Sequence, residues 1–367
     1  MAAAPRVLEA QRETTLTGYS AARVAVIIVN WNAWSECIEC LDSLLAQAHA
    51  EFHVYIVDND SNDGSVERIM AWCDAPRSDP KWRRHDGVDR WTDRTVIERV
   101  ECRLVDRCSD SPLPAAGCRL TLVRSGGNLG FAGGCNVGIA AAGLKNFDYF
   151  WFLNGDAVVH RRALVELVAR AERDKAVGMV GSTIRYYDSP LVVQAMGGAR
   201  LDRSNGASRH IGEGCRLTDV PSDGASVERN LTYIMGASML VTARYIRAVG
   251  LMAEDYFLYF EDADWGMRGA GSFVFGYAPT SHIFHKWGAI SHKAAPLFSS
   301  RFYYRNRLRF VARFLPGRLP AAKRLLVEQL LRHLLRGRWA QARLVGETLL
   351  HARQITSDVI PHEPVHQ

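Results

Sequence analysis

Three apolar runs of strand length each end in an amide or a carboxylate. VAVIIVN ends at Asn30, FHVYIVD ends at Asp58, and DYFWFL is followed by Asn154 and Asp156. Buried parallel strands are continuously apolar, and open α/β sheets bind ligands just beyond the carboxyl ends of their strands. The pattern therefore predicts a polar ligand lying across one edge of a parallel sheet. The carboxylates favour a sugar, a base edge or a metal-bound phosphate.

Strands and helices alternate from residue 23 onwards, which is typical of a doubly wound α/β fold. The periodicity predicts strands at 24–30, 52–58, 120–124, 149–153 and 177–183. Helices are predicted between them at about 35–47, 64–73, 132–143 and 161–173. We interpret residues 1–22 as a flexible N-terminal arm. Residues 74–117, rich in Asp, Arg, Pro and Trp, are interpreted as an insertion or long loop that could carry a small strand or helix.

The pattern is looser after residue 186. It predicts a strand-like run at 231–242, a short helix at 244–249, a helix starting near 261, a strand at 273–278 and a His-rich loop, SHIFHKWGAISHK. From 297 to about 353 it is helical and basic, with interruptions at Pro316 and Pro320. We therefore predict one α/β domain over 23–296, followed by amphipathic basic helices and a tail over 297–367.

Composition narrows the class of protein only slightly. A hydrophobic fraction of 48% and a charged fraction of 23% are ordinary for a folded protein. A net charge of +6 does not imply nucleic acid, and we predict no nucleic-acid partner. The chain shows neither a signal-peptide pattern nor an apolar run of roughly 18 residues, so we expect a cytoplasmic protein with reduced thiols. Cys37 and Cys40 form a C-x-x-C within a helical pattern, which favours packing over redox or zinc chemistry.

Each polar segment at the predicted sheet edge has two interpretations. The segment 58–61, Asp-Asn-Asp-Ser, suits contacts to a base and ribose, and it equally suits a turn with a helix cap. The glycine-rich turn 126–134 can approach phosphate closely or can simply connect two elements. Asp156 after a buried strand can hold a divalent cation on a diphosphate, or it can make an Asx turn.

Acids and histidines cluster later in the chain. Three acids stand at the predicted start of a helix: Glu261, Asp262 and Asp264. Acids are favoured there, but three exceed what one cap needs, so one can be a general base kept ionised by helix N–H groups. Three histidines follow: His282, His285 and His292. One of them, together with Asp156, would make a cation site of mixed nitrogen and oxygen ligands.

Taken in order, six segments resemble the family 2 glycosyltransferases. They are VIIVNWN, VDNDSNDGS, GGNLGFAGGCNVGI, FLNGDAVV, FLYFEDADW and H-x-x-G. Within that family the chain is most similar to the rhamnosyltransferase-like members that build bacterial surface polysaccharides, over roughly residues 23–310. The resemblance implies a GT-A fold, a Rossmann-like and mostly parallel sheet flanked by helices, here with a C-terminal basic helical extension.

The resemblance also implies a role for each matched position. The nucleotide and donor sugar would be contacted by Asn30, Asn32, Asp58, Asn59, Asn128, Gly130, Phe131, Asn136 and Asn154. Asp262 matches the catalytic base. Asp156 matches the last carboxylate of the D-x-D-like metal motif, and His285, three residues before Gly288, matches the His near the diphosphate-bound metal. Asn154 replaces the first carboxylate of that motif.

The implied reaction is inverting transfer from a nucleoside-diphosphate sugar with Mg²⁺ or Mn²⁺ as cofactor. The resemblance points to TDP-rhamnose, with UDP-linked hexoses including galactofuranose as alternatives. The acceptor would be a glycan or a polyprenyl-diphosphate-linked glycan. The reaction requires Asp58, Asp156, Asp262 and His285 to converge on one cleft.

Two alternatives of another class and one question of location stay open. A sugar nucleotidyltransferase would need a glycine-rich basic loop after the first strand, where this chain has Asn30-Trp31-Asn32-Ala33. A non-catalytic carbohydrate-binding protein is compatible with the incomplete metal motif. The basic C-terminal helices can lie on an anionic membrane at the inner face of the plasma membrane, or can pack on the core with a solvated basic face.

Overall fold

The computed structural model describes residues 22–49, 51–75, 100–107, 118–286 and 296–362. Several predictions fall outside these residues. They concern the arm at 1–21, the part of the predicted insertion at 76–99 and 108–117, Gly288, His292 and the end of the tail at 363–367.

Within the described residues, ten strands form one sheet and three form a second. The large sheet contains β1 (Val24–Asn30), β2 (Phe52–Asp58), β3 (Cys102–Asp106), β4 (Leu120–Arg124), β5 (Tyr149–Leu153), β6 (Ala157–Val159), β7 (Val177–Tyr186), β8 (Val193–Met196), β12 (Ser238–Thr242) and β13 (Val274–His285). The small sheet contains β9 (Gly198–Asp202), β10 (Ala207–His210) and β11 (Tyr233–Ile234).

The helices flank the large sheet and then continue beyond it. Those of the α/β part are α1 (Trp34–Leu44), α2 (Ser65–Asp74), α3 (Gly130–Ala142), α4 (Ala163–Arg173), α5 (Ala225–Glu228), α6 (Ala243–Val249) and α7 (Glu261–Gly269). The C-terminal helices are α8 (Pro296–Phe314), α9 (Leu319–Leu335), α10 (Trp339–Leu350) and α11 (Ala352–Ser357). Short 3₁₀ turns lie at Leu217–Asp219, Glu254–Tyr256 and Pro316–Arg318.

The strand order of the large sheet is β3-β4-β2-β1-β5-β12-β7-β13-β6, with β8 paired to β7. The half from β3 to β5 is entirely parallel. Two apolar clusters cover its faces, which is why β1 and β2 are apolar at successive positions rather than alternating. The α/β prediction is confirmed. β3 lies within the predicted insertion and forms the edge of this sheet.

Strand register brings the polar strand ends together. Asn30 lies opposite Asp58 in the parallel pair of β1 and β2. On the other half, β6 runs antiparallel to β13, and His285 lies opposite Ala157, the residue after Asp156. The expectation of a loop at the start of the His-rich segment is wrong, because β13 continues to His285 by pairing with both β7 and β6.

The C-terminal helices share an apolar cluster with the α/β part. Leu308, Phe310 and Val311 of α8 pack with Tyr256 and Phe260, which lie just before α7. Buried residues of α9 and α10 complete the same cluster. These helices therefore support the segment that leads into α7. None of the described helices combines the length and apolarity needed to span a bilayer.

The segment before α7 is held in a strained backbone conformation. Phe257, Tyr259 and Phe260 have φ values of 66°, 66° and 74°, in the left-handed region. A left-handed conformation costs a bulky side chain on the order of 1–3 kcal/mol, so surrounding contacts must stabilise it. We call residues 257–260 the left-handed loop.

Two neighbours hold the left-handed loop. The side-chain amide of Asn306, buried in α8, donates to the carbonyls of Tyr256, Leu258 and Tyr259 at 2.7, 2.8 and 3.0 Å. From α3, the Phe131 N–H donates to the Phe257 carbonyl at 2.7 Å.

Close packing at this contact requires glycine at position 130. Gly130 has a φ of 70°, and a Cβ there would lie 2.3 Å from the Phe257 oxygen. The glycine-rich turn and the aromatic segment are thus in direct contact.

We expect Asn306→Asp to destabilise the fold by about 2–4 kcal/mol, because a carboxylate of the same shape would face three carbonyl oxygens without donating to them. Urea unfolding would measure this. The matched control is Asn230→Ala, since Asn230 is exposed and donates to one carbonyl, that of Ser226. Its effect should stay within about 0.5 kcal/mol. Wild-type stability in Asn306→Asp would contradict the role of Asn306.

Candidate active site

A cleft of about 340 Å³ lies beside the carboxyl ends of β1, β2 and β5. Eight of the twelve site residues predicted from the sequence line it: Asn59, Asn128, Gly130, Phe131, Asn154, Asp156, Asp262 and His285. Motifs separated by up to about two hundred residues therefore meet in one place. Four predicted residues do not line it: Asn30, Asn32, Asp58 and Asn136.

Asn30 and Asp58 lie at the cleft's edge and bind each other. The Asn30 amide donates to Asp58 Oδ2 at 2.9 Å and to Ser61 Oγ at 3.2 Å. Ser61 N–H donates in turn to Asp58 Oδ1 at 3.0 Å, and the Asn32 N–H donates to Ser61 Oγ at 2.9 Å. This network joins the first two motifs, and Ser61 is the member that the sequence did not single out.

Asn59 connects this network to the glycine-rich turn. Its amide nitrogen donates to the Gly130 carbonyl at 2.9 Å and to Asn128 Oδ1 at 3.2 Å. Its oxygen accepts from the Leu129 N–H at 3.3 Å. The turn and helix-cap interpretation of this segment and the ligand-binding one are therefore compatible, because Asn59 both orders the turn and lines the cleft.

Asn136 ties two elements together away from the cleft. Its amide nitrogen donates to the Met252 carbonyl and to Glu254 Oε1, at 3.0 and 2.8 Å, and its oxygen accepts from the Met252 N–H at 3.1 Å. Its hydrogen-bonding groups are thus used within the protein. The donor-binding role inferred for Asn136 stays a prediction, and the geometry gives it a structural one.

Asp156 and His285 face each other across the base of the cleft. His285 Nε2 lies 3.2 Å from Asp156 Oδ1, and both side chains are buried. His285 Nδ1 donates to Gln194 Oε1 at 3.0 Å, so Nε2 of the neutral ring keeps its lone pair. Asn154 Nδ2 lies 3.2 Å from the same nitrogen. Gln194 was not found from the sequence, because no motif marks it.

This pair fits a divalent cation. Asp156 Oδ1 has no hydrogen-bond donor among the described residues, and it lies beside a nitrogen lone pair. A cation bound by both acceptors would remove the repulsion between them. No three His, Cys, Asp or Glu side chains in the described ranges gather as metal ligands. Two protein ligands suffice for a cation that also binds substrate phosphates.

Asp262 also lines the cleft and lies at the N-terminal end of α7. Its carboxylate accepts from the Gly236 N–H at 3.1 Å and from the Ala263 N–H at 2.8 Å. Gly236 lies between β11 and β12, where the run predicted as one strand is interrupted. Burial raises the pKa of Asp262 to about 6, although these N–H groups favour the ionised form.

The neighbouring acids have different environments. Burial, followed by the charge of Asp262, raises the pKa of Glu261 well above its ordinary value, which favours the neutral form of Glu261. Asp264 is fully buried and binds Arg268 at 2.7 Å and Arg313 at 2.9 Å. Asp264 therefore has a structural role, which leaves Asp262 as the acid suited to proton transfer.

Aromatic side chains form much of the remaining wall. Trp31, Phe257, Tyr259 and Phe298 line the cleft. The rings of Trp31 and Phe298 stack with centroids 6.4 Å apart. The sequence signalled Tyr259 only as part of an aromatic run, and Phe298 only as part of a helical pattern. Aromatic faces suit the apolar faces of sugar rings.

The C-x-x-C pair packs beneath this site as expected. Cys37 and Cys40 are free thiols, fully buried in α1. Burial raises the pKa of both thiols, so they stay protonated. Both side chains therefore pack in the core, as the helical pattern predicts.

Comparisons with known proteins identify the family and the fold. A family model described as glycosyl transferase family 2 matches residues 25–85 and 94–216, half of the chain. The structure is similar to the mannosyltransferase PcManGT from Pyrobaculum calidifontis, solved with GDP-Man and Mn²⁺. Identity is 15% and the TM-score 0.50, over 93% of this chain and 88% of that one. At this identity the likeness concerns the fold alone.

A second solved structure, S. aureus TarS, has a TM-score of 0.45 and 12% identity, over 79% of this chain and 39% of that one. A search of curated protein sequences found no match. The family match favours a glycosyltransferase over a sugar nucleotidyltransferase or a non-catalytic carbohydrate-binding protein. The chain belongs to glycosyl transferase family 2 and is a glycosyltransferase with a GT-A-type fold.

Proposed function

We propose that the protein transfers a sugar from a nucleoside-diphosphate donor to an acceptor hydroxyl with inversion at the anomeric carbon. One observation carries the proposal. Asp262, a carboxylate with a raised pKa, shares one cleft with Asp156 and His285, a pair suited to a diphosphate-bound cation. A base on one side and an anion-binding group on the other are what a single displacement requires.

Asp262 is the proposed general base. Its carboxylate takes the acceptor O–H proton as that oxygen bonds to the anomeric carbon, and the bond from that carbon to the diphosphate oxygen breaks. Attack from the face opposite the leaving group inverts the configuration. Hydrogen bonds from Gly236 and Ala263 orient the carboxylate during this step. The raised pKa of Glu261 disfavours a second negative charge beside it.

Asp156 and His285 are the proposed ligands of Mg²⁺ or Mn²⁺. When bound, the cation would neutralise charge on the leaving diphosphate. Gln194 orients His285 through Nδ1 and leaves the lone pair on Nε2, which a cation would take in place of the Asn154 amide. The Mn²⁺ bound to the Pyrobaculum mannosyltransferase supports this choice of cofactor.

TDP-rhamnose is the proposed donor, on the strength of the sequence resemblance. UDP-hexoses, including UDP-galactofuranose, are the alternatives, and the GDP-Man bound to the Pyrobaculum protein adds GDP-mannose. The proposed acceptor is a glycan or a polyprenyl-diphosphate-linked glycan in cell-surface polysaccharide synthesis. Screening these nucleotide sugars for release of nucleoside diphosphate would identify the donor.

We place the enzyme on the inner face of the plasma membrane through the turn between α9 and α10. Leu335 and Trp339 there are 88% and 70% exposed. Arg332, Arg336 and Arg338 surround them and are themselves exposed. Large apolar side chains ringed by cations suit an anionic lipid surface.

Asp262→Asn should lower turnover by at least about a hundredfold, because the amide cannot accept the acceptor proton. Calorimetric binding of TDP with Mg²⁺ should be nearly unchanged. Asp223→Asn, an exposed acid outside the cleft, is the matched control and should behave as wild type. More than roughly a tenth of wild-type turnover in Asp262→Asn would remove it from the base role.

Activity should fall as the pH drops through about 6, the raised pKa of Asp262. The base must be ionised, so it is competent above that pH and protonated below it. The measurement is kcat/KM against pH, with donor binding followed over the same range. Glu261→Gln should leave this fall in activity in place, because the proposed base is Asp262 and the raised pKa of Glu261 favours its neutral form. If kcat/KM falls only near pH 4, about the ordinary carboxyl pKa, the pKa of Asp262 is not raised.

Gln194→Ala should weaken Mn²⁺ binding by about 10–100-fold, because it removes the group that orients His285. Calorimetry in the presence of TDP would measure the affinity, and EDTA should abolish donor hydrolysis by the wild type. Gln341→Ala, on α10, is the control and should bind Mn²⁺ normally. If EDTA leaves hydrolysis intact, the metal assignment is wrong.

Leu335→Ser/Trp339→Ser should reduce flotation with anionic vesicles at least about tenfold, because each buried apolar side chain contributes roughly 1.5–3 kcal/mol. Substitution is preferable to deletion of 317–367, since Ala322, Leu326 and Val345 belong to the buried core. Leu191→Ser, exposed elsewhere on the surface, is the control. Unchanged flotation of the double variant would show that Leu335 and Trp339 do not bind the membrane.

A further inference from the structure

A second pocket of about 340 Å³ lies between α8, α10 and α11, and the proposed transfer step does not use it. Three arginines of α8 line it: Arg301, Arg305 and Arg309. Their spacing of four residues places them on one face of the helix. The polar residues opposite them include Thr348, His351 and Gln354.

Two of the three arginines form no ion pair in the described part of the chain. Arg309 Nε binds Asp255 Oδ2 at 2.8 Å. No carboxylate oxygen of the described residues lies within 4.0 Å of the side-chain nitrogens of Arg301 or Arg305. Among the described residues, Arg305 donates to two neutral oxygens, those of the Asp255 carbonyl at 3.5 Å and the Asn306 side chain at 3.2 Å.

The two acids of the pocket lining differ in their partners. Glu347 forms an ion pair with Arg343 at 2.8 Å, and the hydrogen bond and charge of Arg343, then the charge of Arg301, lower the pKa of Glu347. Asp358 accepts from the neutral Ser357 Oγ at 3.0 Å. Burial, then repulsion from the charge of Arg309, lowers the pKa of Arg305, and the charge of Asp255 opposes this shift. Repulsion of this kind is relieved by a bound anion.

The pocket lies beside the proposed acceptor side of the cleft. Phe298, near the start of α8, lines the cleft, and Arg301 and Arg305 follow one and two turns later. Asp255, which binds Arg309, immediately precedes Tyr256 and the left-handed loop. Tyr304 lies 3.2 Å from His333, so the α9 end that carries Leu335 reaches the same half of α8.

We propose that Arg301, Arg305 and Arg309 bind the phosphate or diphosphate group of the acceptor while its sugar hydroxyl lies at Asp262. The proposal rests on the glycosyl transfer proposed above. Planar guanidinium groups donate paired hydrogen bonds that match phosphate oxygens. A lipid carrier extending from that diphosphate would reach the exposed apolar turn at Leu335. An anionic phospholipid headgroup has the same chemistry and is the alternative source.

The first experiment measures binding of inorganic pyrophosphate by calorimetry, in EDTA, to the full-length protein. Arg301→Gln should weaken binding about tenfold, and Arg301→Glu should weaken it further. Arg301 is exposed and has no carboxylate partner in the described structure, so both variants should fold. Arg324→Gln, which removes an exposed charge on α9, should bind like wild type. Equal affinity for pyrophosphate in wild type and Arg301→Glu would show that the pocket is not the anion-binding site.

The second experiment separates the two sources. If the acceptor supplies the group, Arg301→Gln should raise KM about tenfold for a diphosphate-linked glycan and leave KM unchanged for the methyl glycoside of that glycan. If the KM values stay equal while flotation with phosphatidylglycerol vesicles falls, the acceptor assignment is overturned in favour of a lipid headgroup. Donor hydrolysis without acceptor tests the proposed function separately, since its absence in the wild type would leave the pyrophosphate result intact.

Discussion

The hydrogen bonds from Asn306 to three main-chain carbonyls determine where the proposed base lies. Left-handed φ values at Phe257, Tyr259 and Phe260 let the chain turn sharply before α7. Without compensation such a segment would relax, and Asp262 would move with it. One amide, buried in a helix almost fifty residues later, satisfies three carbonyls of this segment. The C-terminal helices are therefore part of the active site's framework and are not an appendage.

The two sides of the cleft are built differently. The residues proposed to bind the donor, Asn30, Asp58, Asp156 and His285, lie at strand ends, where register in the sheet fixes them. The proposed base Asp262 and the aromatic wall depend on side-chain packing between α3, α8 and the left-handed loop. A sheet edge tolerates little variation, whereas packed helices and loops accommodate substitution. We expect the choice of acceptor to reside in the second group.

Much of the α/β half could be predicted from the sequence, because its signals are local. The strands 24–30, 52–58 and 149–153 agree with β1, β2 and β5 because each is a continuous apolar run bounded by polar residues. The extension of β13 could not be predicted. Its apolar pattern breaks at Pro279 and Thr280, its register with β7 shifts between Ala278 and His282, and its partner strands lie far away in the sequence.

The candidate site likewise contains residues that the sequence could identify and residues that it could not. Residues within motifs, such as Asn59 and Asn128, could be found from the sequence because the resemblance marks them. Gln194 and Asn306 could not, since each acts through one contact with a group more than forty residues away. Asp264 is a case in which the sequence suggested a chemical role and the structure shows a structural one. An acid beside the proposed base looked equally suited to chemistry until the structure placed Arg268 and Arg313 on it.

The family model matches only the first half of the chain. It ends at residue 216, after Asp156 but before Asp262, His285 and Asn306. The matched half contains the strand ends proposed to bind the nucleotide, while the unmatched half contains the proposed base, the left-handed loop and the arginine pocket. In this chain that half presents cations and exposed apolar side chains together, and that combination favours an acceptor with both an anionic group and a lipid.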